Sequence, residues 1–182
     1  MLHLEENPII AAVRTRDGFE KALDCPCDIL FLLCANILTL QEDIRATHQK
    51  KKLLFVHVDI AEGIGRDAAG IQHLQRLGAD GIISTRGNMI KTARENGLKT
   101  VHRVFLLDSH SIETAFDQIA SCHPDMVELM PGVIPKMVAR FSERLKTPII
   151  AGGLIDKKNE IIQALSAGAK AVSTARPELW NQ

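Results

Sequence analysis

Apolar runs of strand length alternate along the chain with amphipathic segments of helix length, and Gly or Pro punctuates the boundaries. Short unbroken apolar runs suit strands buried on both faces, whereas apolar residues three and four apart suit helices that bury one stripe. Eight strand–helix units can be counted. The strands are predicted at 9–14, 29–34, 53–59, 81–85, 100–105, 126–130, 148–151 and 171–174. The segments between them carry helix signals. Thr39-Leu40-Gln41-Glu42 has capping-box spacing and predicts the start of the second helix. Gly78, Gly97 and Gly168 follow helical segments, where a left-handed residue is wanted and a missing Cβ removes the penalty. Asp108 is placed to cap the fifth helix. Pro135 suits the first turn of the sixth, whose buried stripe would be Met137, Val138, Phe141 and Leu145.

Repeated βα units imply a parallel sheet, and eight of them can close, which leaves no exposed edge. The expected fold is α/β, a compact (β/α)8 TIM-type barrel with minimal loops, as one domain over residues 1–182. Barrels of this type usually run to about 250 residues. A chain of 182 therefore implies short connections and one degenerate helix. An internal echo fits two half-barrels: Leu77-Gly78-Ala79-Asp80-Gly81-Ile82-Ile83-Ser84-Thr85 resembles Ala167-Gly168-Ala169-Lys170-Ala171-Val172-Ser173-Thr174, with the Gly-Ala pairs 90 residues apart.

Composition narrows the function. Hydrophobic content is 46% but aromatic content only 4%, with no Tyr, so the core is aliphatic. Lys and Arg number 22 against 22 Asp and Glu, so no whole-molecule field attracts nucleic acid or an anionic membrane. An RNA partner would need a local patch. The first residues, Met1 to Asn7, lack a basic region followed by an apolar stretch, and no apolar run reaches membrane-spanning length. A cytoplasmic protein is expected. Cys25, Cys27, Cys34 and Cys122 lack CxxC spacing, and no metal site is expected; Cys25-Pro26-Cys27 reads as buried thiols.

In such barrels the site lies at the C-terminal strand ends, with phosphate held by the loops after strands seven and eight. Here those ends are Ala151-Gly152-Gly153 and Ser173-Thr174. Gly152 and Gly153 would let backbone amides approach phosphate oxygens, and Ser173 and Thr174 offer hydroxyls. Pro177 would then begin a short helix whose positive dipole end faces the anion. Alternation puts His57 and Asp59 on one face of strand three, and Met126, Glu128 and Met130 on one face of strand six. Arg103 adds a cation, and Arg14 and Arg86 fall at the ends of strands one and four. A paired cluster of Arg103, Glu128 and Asp59, with His57, would read the hydroxyls of a polyol or simply satisfy itself near the core. No strand ends near a Lys that could form a Schiff base, and no long glycine-hinged lid is evident. No catalytic residue is assigned. Lys50-Lys51-Lys52 would be a solvated helix end, opposite the ligand.

Five motifs in order resemble the glycerol uptake operon antiterminator regulatory proteins: Leu54-Phe55-Val56-His57-Val58-Asp59, Ile83-Ser84-Thr85-Arg86, His102-Arg103-Val104-Phe105-Leu106-Leu107-Asp108-Ser109, Glu128-Leu129-Met130-Pro131-Gly132 and Ala151-Gly152-Gly153. The resemblance also takes in the Pro8-to-Arg14 opening and the Leu179-Trp180 ending. It implies a bacterial regulator with no cofactor, with glycerol 3-phosphate as effector, which binds leader mRNA of glycerol-utilisation genes and prevents premature termination. A homo-oligomer is compatible with it. Candidate RNA contacts are Arg86, Lys91, Arg94, Arg103, Lys157 and Lys158, but one Trp and no Tyr offer no evident stacking platform. The alternative is a small barrel isomerase or lyase acting on a phosphorylated polyol or sugar, with Asp59, Glu128 or His57 as acid or base.

Overall fold

The computed structural model describes Leu4 and Glu6–Asn181. Most of the N-terminal stretch inspected for an export signal (residues 1–3 and 5) lies outside the described residues. The elements run β1 (Ile9–Val13), α1 (Arg16–Asp24), β2 (Ile29–Leu32), α2 (Leu40–Gln49), β3 (Leu53–His57), α3 (Ala68–Leu77), β4 (Gly81–Ser84) and α4 (Gly87–Glu95). The second half continues with β5 (Lys99–Phe105), α5 (Ser109–Cys122), β6 (Met126–Met130), α6 (Pro135–Arg144), β7 (Ile149–Gly152), α7 (Lys158–Ser166) and β8 (Ala171–Thr174). Every strand pairs in parallel with its neighbours in sequence, and β8 closes on β1 with Ile10 opposite Ser173. The helix after β8 is reduced to a 3-10 turn, Pro177–Leu179.

Alternation along the strands builds two cores. One lies between sheet and helices; the other fills the lumen with Ile10, Phe31, Phe55, Val101, Met126 and Ile150. Phe31 and Phe55 meet there at 5.7 Å between ring centroids. Gly81 makes room for them, since a Cβ at this position would come within 2.6 Å of the Phe55 ring and of the Lys99 carbonyl. Towards the C-terminal strand ends the same inward positions turn polar, with His57, Arg103, Glu128 and Ser173 all buried.

The helix stops fall where the glycines predict: Gly78, Gly97 and Gly168 all have positive φ, so the two halves of the internal echo occupy equivalent places before β4 and β8. Asp108 caps α5, accepting from Ser111 N at 2.7 Å, while the Ser111 hydroxyl accepts from Asp108 N. Val138 and Phe141 are the buried stripe of α6, with Met137 and Leu145 half-buried against it.

Four expectations are corrected. No capping box forms at Thr39, which sits in a helical conformation; the Asn36 carbonyl takes the Thr39 and Leu40 amides instead. Lys52 is not solvated but 92% buried, because its long stem crosses to carbonyls of the α1–β2 segment (relative exposure 8%). Strand β3 ends at His57, and Asp59 belongs to the following 3-10 turn, Val58–Ile60, rather than to the strand face. The turn at Pro177 is a single 3-10 turn, too short to carry a useful dipole.

Candidate functional site

The C-terminal ends of β1, β5, β6, β7 and β8 surround an open cavity of about 1040 Å³. Its floor is Arg103, Glu128 and Ser173. Glu128 accepts from Arg103 Nε at 2.6 Å through one oxygen and from the Ser173 hydroxyl at 2.5 Å through the other. Arg103 Nη1 lies 3.5 Å from His57 Nδ1. An arginine is always a donor there, so Nδ1 is the acceptor and the neutral ring carries its proton on Nε2. Burial, and then the Arg103 charge, hold His57 down near 4. Nε2 has no hydrogen-bond partner and lies 3.7 Å from Asp59.

The floor unites Arg103 and Glu128 as the sequence suggests, with Ser173 as a third member. It does not include Asp59. That carboxylate accepts from the Ser84 hydroxyl at 2.7 Å, Thr85 N at 2.7 Å and the Thr85 hydroxyl at 2.8 Å. Burial works to raise its pKa, but these bonds, led by the Thr85 amide, keep it below the ordinary value. Asp59 thus ties the end of β3 to the end of β4. Neither it nor His57 lines the cavity. His102 lies on the outer face of β5, fully buried, with Nδ1 at 3.2 Å from the Ser84 carbonyl.

The wall formed after β7 and β8 differs from expectation in detail. Gly152 does not line the cavity; a Cβ there would come within 2.6 Å of Ser173 Oγ and would overlap the Glu128 carboxylate, so its role is to let the floor pack. Gly153 does line it, with φ +75°, and Leu154 follows at φ +60°. The amides of Gly153, Leu154, Ile155 and Ala175, all on this wall, donate no hydrogen bond among the described residues. Thr174 is a wall-builder: its hydroxyl donates to the Ile155 carbonyl at 2.8 Å and accepts from Arg176 N at 3.2 Å. The Trp180 indole donates to the Thr174 carbonyl at 2.9 Å.

Three cations face the cavity. Arg103 is paired with Glu128, and Arg176 with Asp156 at 2.8 Å. Arg14, exposed just beyond β1, forms no ion pair among the described residues. Its place at a strand end was legible in the sequence, but its lack of a carboxylate partner was not. Of the RNA candidates, Arg103 is buried in the cavity floor and paired with Glu128, and the other five fall into two groups. Arg86 precedes α4, and on that helix Lys91 donates to Ser121 Oγ at 3.0 Å and Arg94 to the Cys122 carbonyl at 3.4 Å. Lys157 and Lys158 stand three units away at the start of α7.

A family model described as glycerol-3-phosphate responsive antiterminator matches residues 9–180, which spans every strand and the whole cavity wall. The chain belongs to this antiterminator family. A crystal structure of a glycerol uptake operon antiterminator regulatory protein from Listeria monocytogenes is 32% identical, covering 98% of this chain and 97% of that one, with a TM-score of 0.93. An antiterminator-related protein from Thermotoga maritima is also 32% identical, covering 96% and 98%, with a TM-score of 0.85. The Escherichia coli K12 protein YgcP is 37% identical over 99% of this chain and 95% of its own length. Barrel aldolases and a decarboxylase at 16% identity or less share the antiterminator chain's fold alone. Among the described residues no helix is long and apolar enough to cross a membrane.

Proposed function

We propose that this chain is a cytoplasmic transcription antiterminator that binds glycerol 3-phosphate in the barrel mouth and, so loaded, binds leader mRNA of glycerol-utilisation genes. The observation that carries the ligand half is the wall of unbonded amides at Gly153, Leu154, Ile155 and Ala175 beside the unpaired Arg14. Amides and a guanidinium are what a phosphate monoester needs, and the family to which the chain belongs is glycerol-3-phosphate responsive. The floor would serve the glycerol end: Ser173 Oγ, having donated to Glu128, is left as an acceptor, and Arg103 has further N–H groups to give. Binding without turnover fits this floor better than catalysis, because Glu128 is held by two donors and His57 is neutral and outside the cavity.

Calorimetric titration with glycerol 3-phosphate, glycerol and inorganic phosphate, with and without leader RNA, tests the reading. Glycerol 3-phosphate should bind more tightly than either fragment, and more tightly still with RNA present, since coupling is reciprocal. RNA retention indifferent to glycerol 3-phosphate at physiological salt sinks the gated regulator. Gly153→Val, which puts a branched side chain at positive φ and against Met130, should weaken glycerol 3-phosphate at least about tenfold while the far-ultraviolet dichroism stays that of a folded barrel. An enzyme would instead turn over a phosphorylated triose or sugar in a manner abolished by Glu128→Gln.

A further inference from the structure

Aromatic side chains are few in this barrel, and all but one are inside. Phe19, Phe31, Phe55, Phe116, Phe141 and Trp180 are buried, whereas Phe105 keeps 48% of its surface exposed. Phe105 is the last residue of β5, and alternation puts it on the inward face with Val101 and Arg103, one layer nearer solvent than the cavity floor. Its register partner is Met130, which lines the cavity. Phe105 therefore stands at the mouth. Other apolar side chains share that rim: Ile60 after β3, Leu107 after β5 and Leu154 after β7, the last two 83% and 70% exposed. Apolar side chains gathered around one opening mark a surface that something covers.

The charges on the same loops indicate what. In the segments that join each strand to the following helix, every carboxylate is already engaged: Asp59 by Ser84 and Thr85, Glu62 by the Asn36 amide group, Asp67 by Gly70 N, Asp108 by Ser111 N and Asp156 by Arg176. In those segments Arg14, Arg66, Arg86 and Lys157 are exposed and form no ion pair among the described residues. Unpaired cations around an apolar opening suit a polyanion that also has flat apolar faces. Single-stranded RNA has both, phosphates and unstacked bases, whereas a duplex hides its base faces. A second copy of the chain suits the rim less, because two rims face to face would bring like cations together with no free carboxylate between them.

We propose, resting on the antiterminator function above, that this rim is where RNA binds, and that it binds as a single strand: an unpaired base stacks on Phe105, Leu107 and Leu154 pack against its neighbours, and Arg66, Arg86 and Lys157 take phosphates. Effector and RNA then share one element, since Leu154 gives its amide to the cavity wall and its side chain to the rim. A phosphate that orders this loop through the amide also presents the side chain.

The test titrates leader RNA at saturating glycerol 3-phosphate, as a free strand and annealed to its complement. The wild-type protein should hold the free strand at least about tenfold more tightly than the duplex. Phe105→Ala should weaken the free strand about tenfold while the far-ultraviolet dichroism stays that of a folded barrel, and Arg66→Ala and Arg86→Ala should each reduce the dependence of log K on log salt by about 0.7. Phe105→Trp should keep the affinity, and its emission should be quenched by RNA as the base stacks, unlike that of the wild-type protein, whose Trp180 is buried. Leader RNA held equally by the wild-type protein and Phe105→Ala, or a Phe105→Trp emission indifferent to bound RNA, overturns the rim as the RNA surface and leaves the antiterminator function standing. A duplex held as tightly as the free strand overturns the single-strand requirement. A wild-type protein that holds no leader RNA overturns both the rim and the function. A dimer that Leu107→Glu splits while RNA affinity stays unchanged gives the rim to a second copy of the chain and overturns the assignment. The Phe105→Trp emission decides the point even where Phe105→Ala does not fold.

Discussion

Glu128 holds Arg103 with one oxygen and Ser173 with the other, and Gly152 is absent of side chain so that it can. A methyl group at Gly152 has nowhere to go between those partners. Gly152→Ala should therefore cost roughly 1–3 kcal/mol of stability in urea titration, a packing effect distinct from any effect on ligand. His57 sets a pH window by the same logic of burial. Its folded pKa of about 4 lies below the unfolded value of 6.5, so the unfolded chain binds the proton more readily. The stability contributed by the neutral ring is complete above 6.5, falls as pH drops from there to about 4, and levels off below. Urea midpoints measured between pH 7 and pH 4 should decline, and less steeply in His57→Gln; equal slopes would remove His57 as the cause.

At the scale of elements, the turn after β3 is fastened to the end of β4 by three hydrogen bonds into one carboxylate. Asp59→Ala strands the Ser84 and Thr85 donors and should cost roughly 2–4 kcal/mol in the same titration. If Asp59 instead reads a polyol, stability changes little and ligand affinity falls. The strands themselves were legible in the sequence because period and length survive any tertiary detail, and the glycines at 78, 97 and 168 mark helix ends through a backbone need that no neighbour alters. Asp59 was misplaced for a specific reason: alternation can be read only while a strand continues, and nothing in Val58-Asp59-Ile60 announces that β3 has already ended. Thr39 failed likewise, because a free carbonyl from Asn36, an irregular residue, reached the helix start first. Arg103 and Glu128 were legible as a pair, since charge in an apolar strand requires a partner two strands can supply. The amides of Leu154, Ile155 and Ala175 were not, because backbone groups carry no residue identity.

The molecule as a whole is electrically neutral, so any affinity for RNA must come from a local group of cations. The candidates on α4 already donate within the protein, whereas Lys157 and Lys158 adjoin the cavity wall at Asp156. On the proposed function, Lys157→Ala and Lys158→Ala should each lower leader RNA affinity and reduce the dependence of log K on log salt by about one, with Lys91→Ala doing less. A salt slope unaltered in all three variants would place the RNA elsewhere on the surface.

The lumen below Arg103 and Glu128 is packed solid by Ile10, Phe31, Phe55 and their neighbours. A solute in the cavity consequently has one doorway for both arrival and escape. Any macromolecule resting across that doorway slows both journeys together, so a complex with RNA would lengthen the residence of the effector even where it leaves the equilibrium occupancy untouched. The barrel is then a timer as well as a gauge: once covered, it would go on reporting a glycerol 3-phosphate level that the surrounding solution had already left behind.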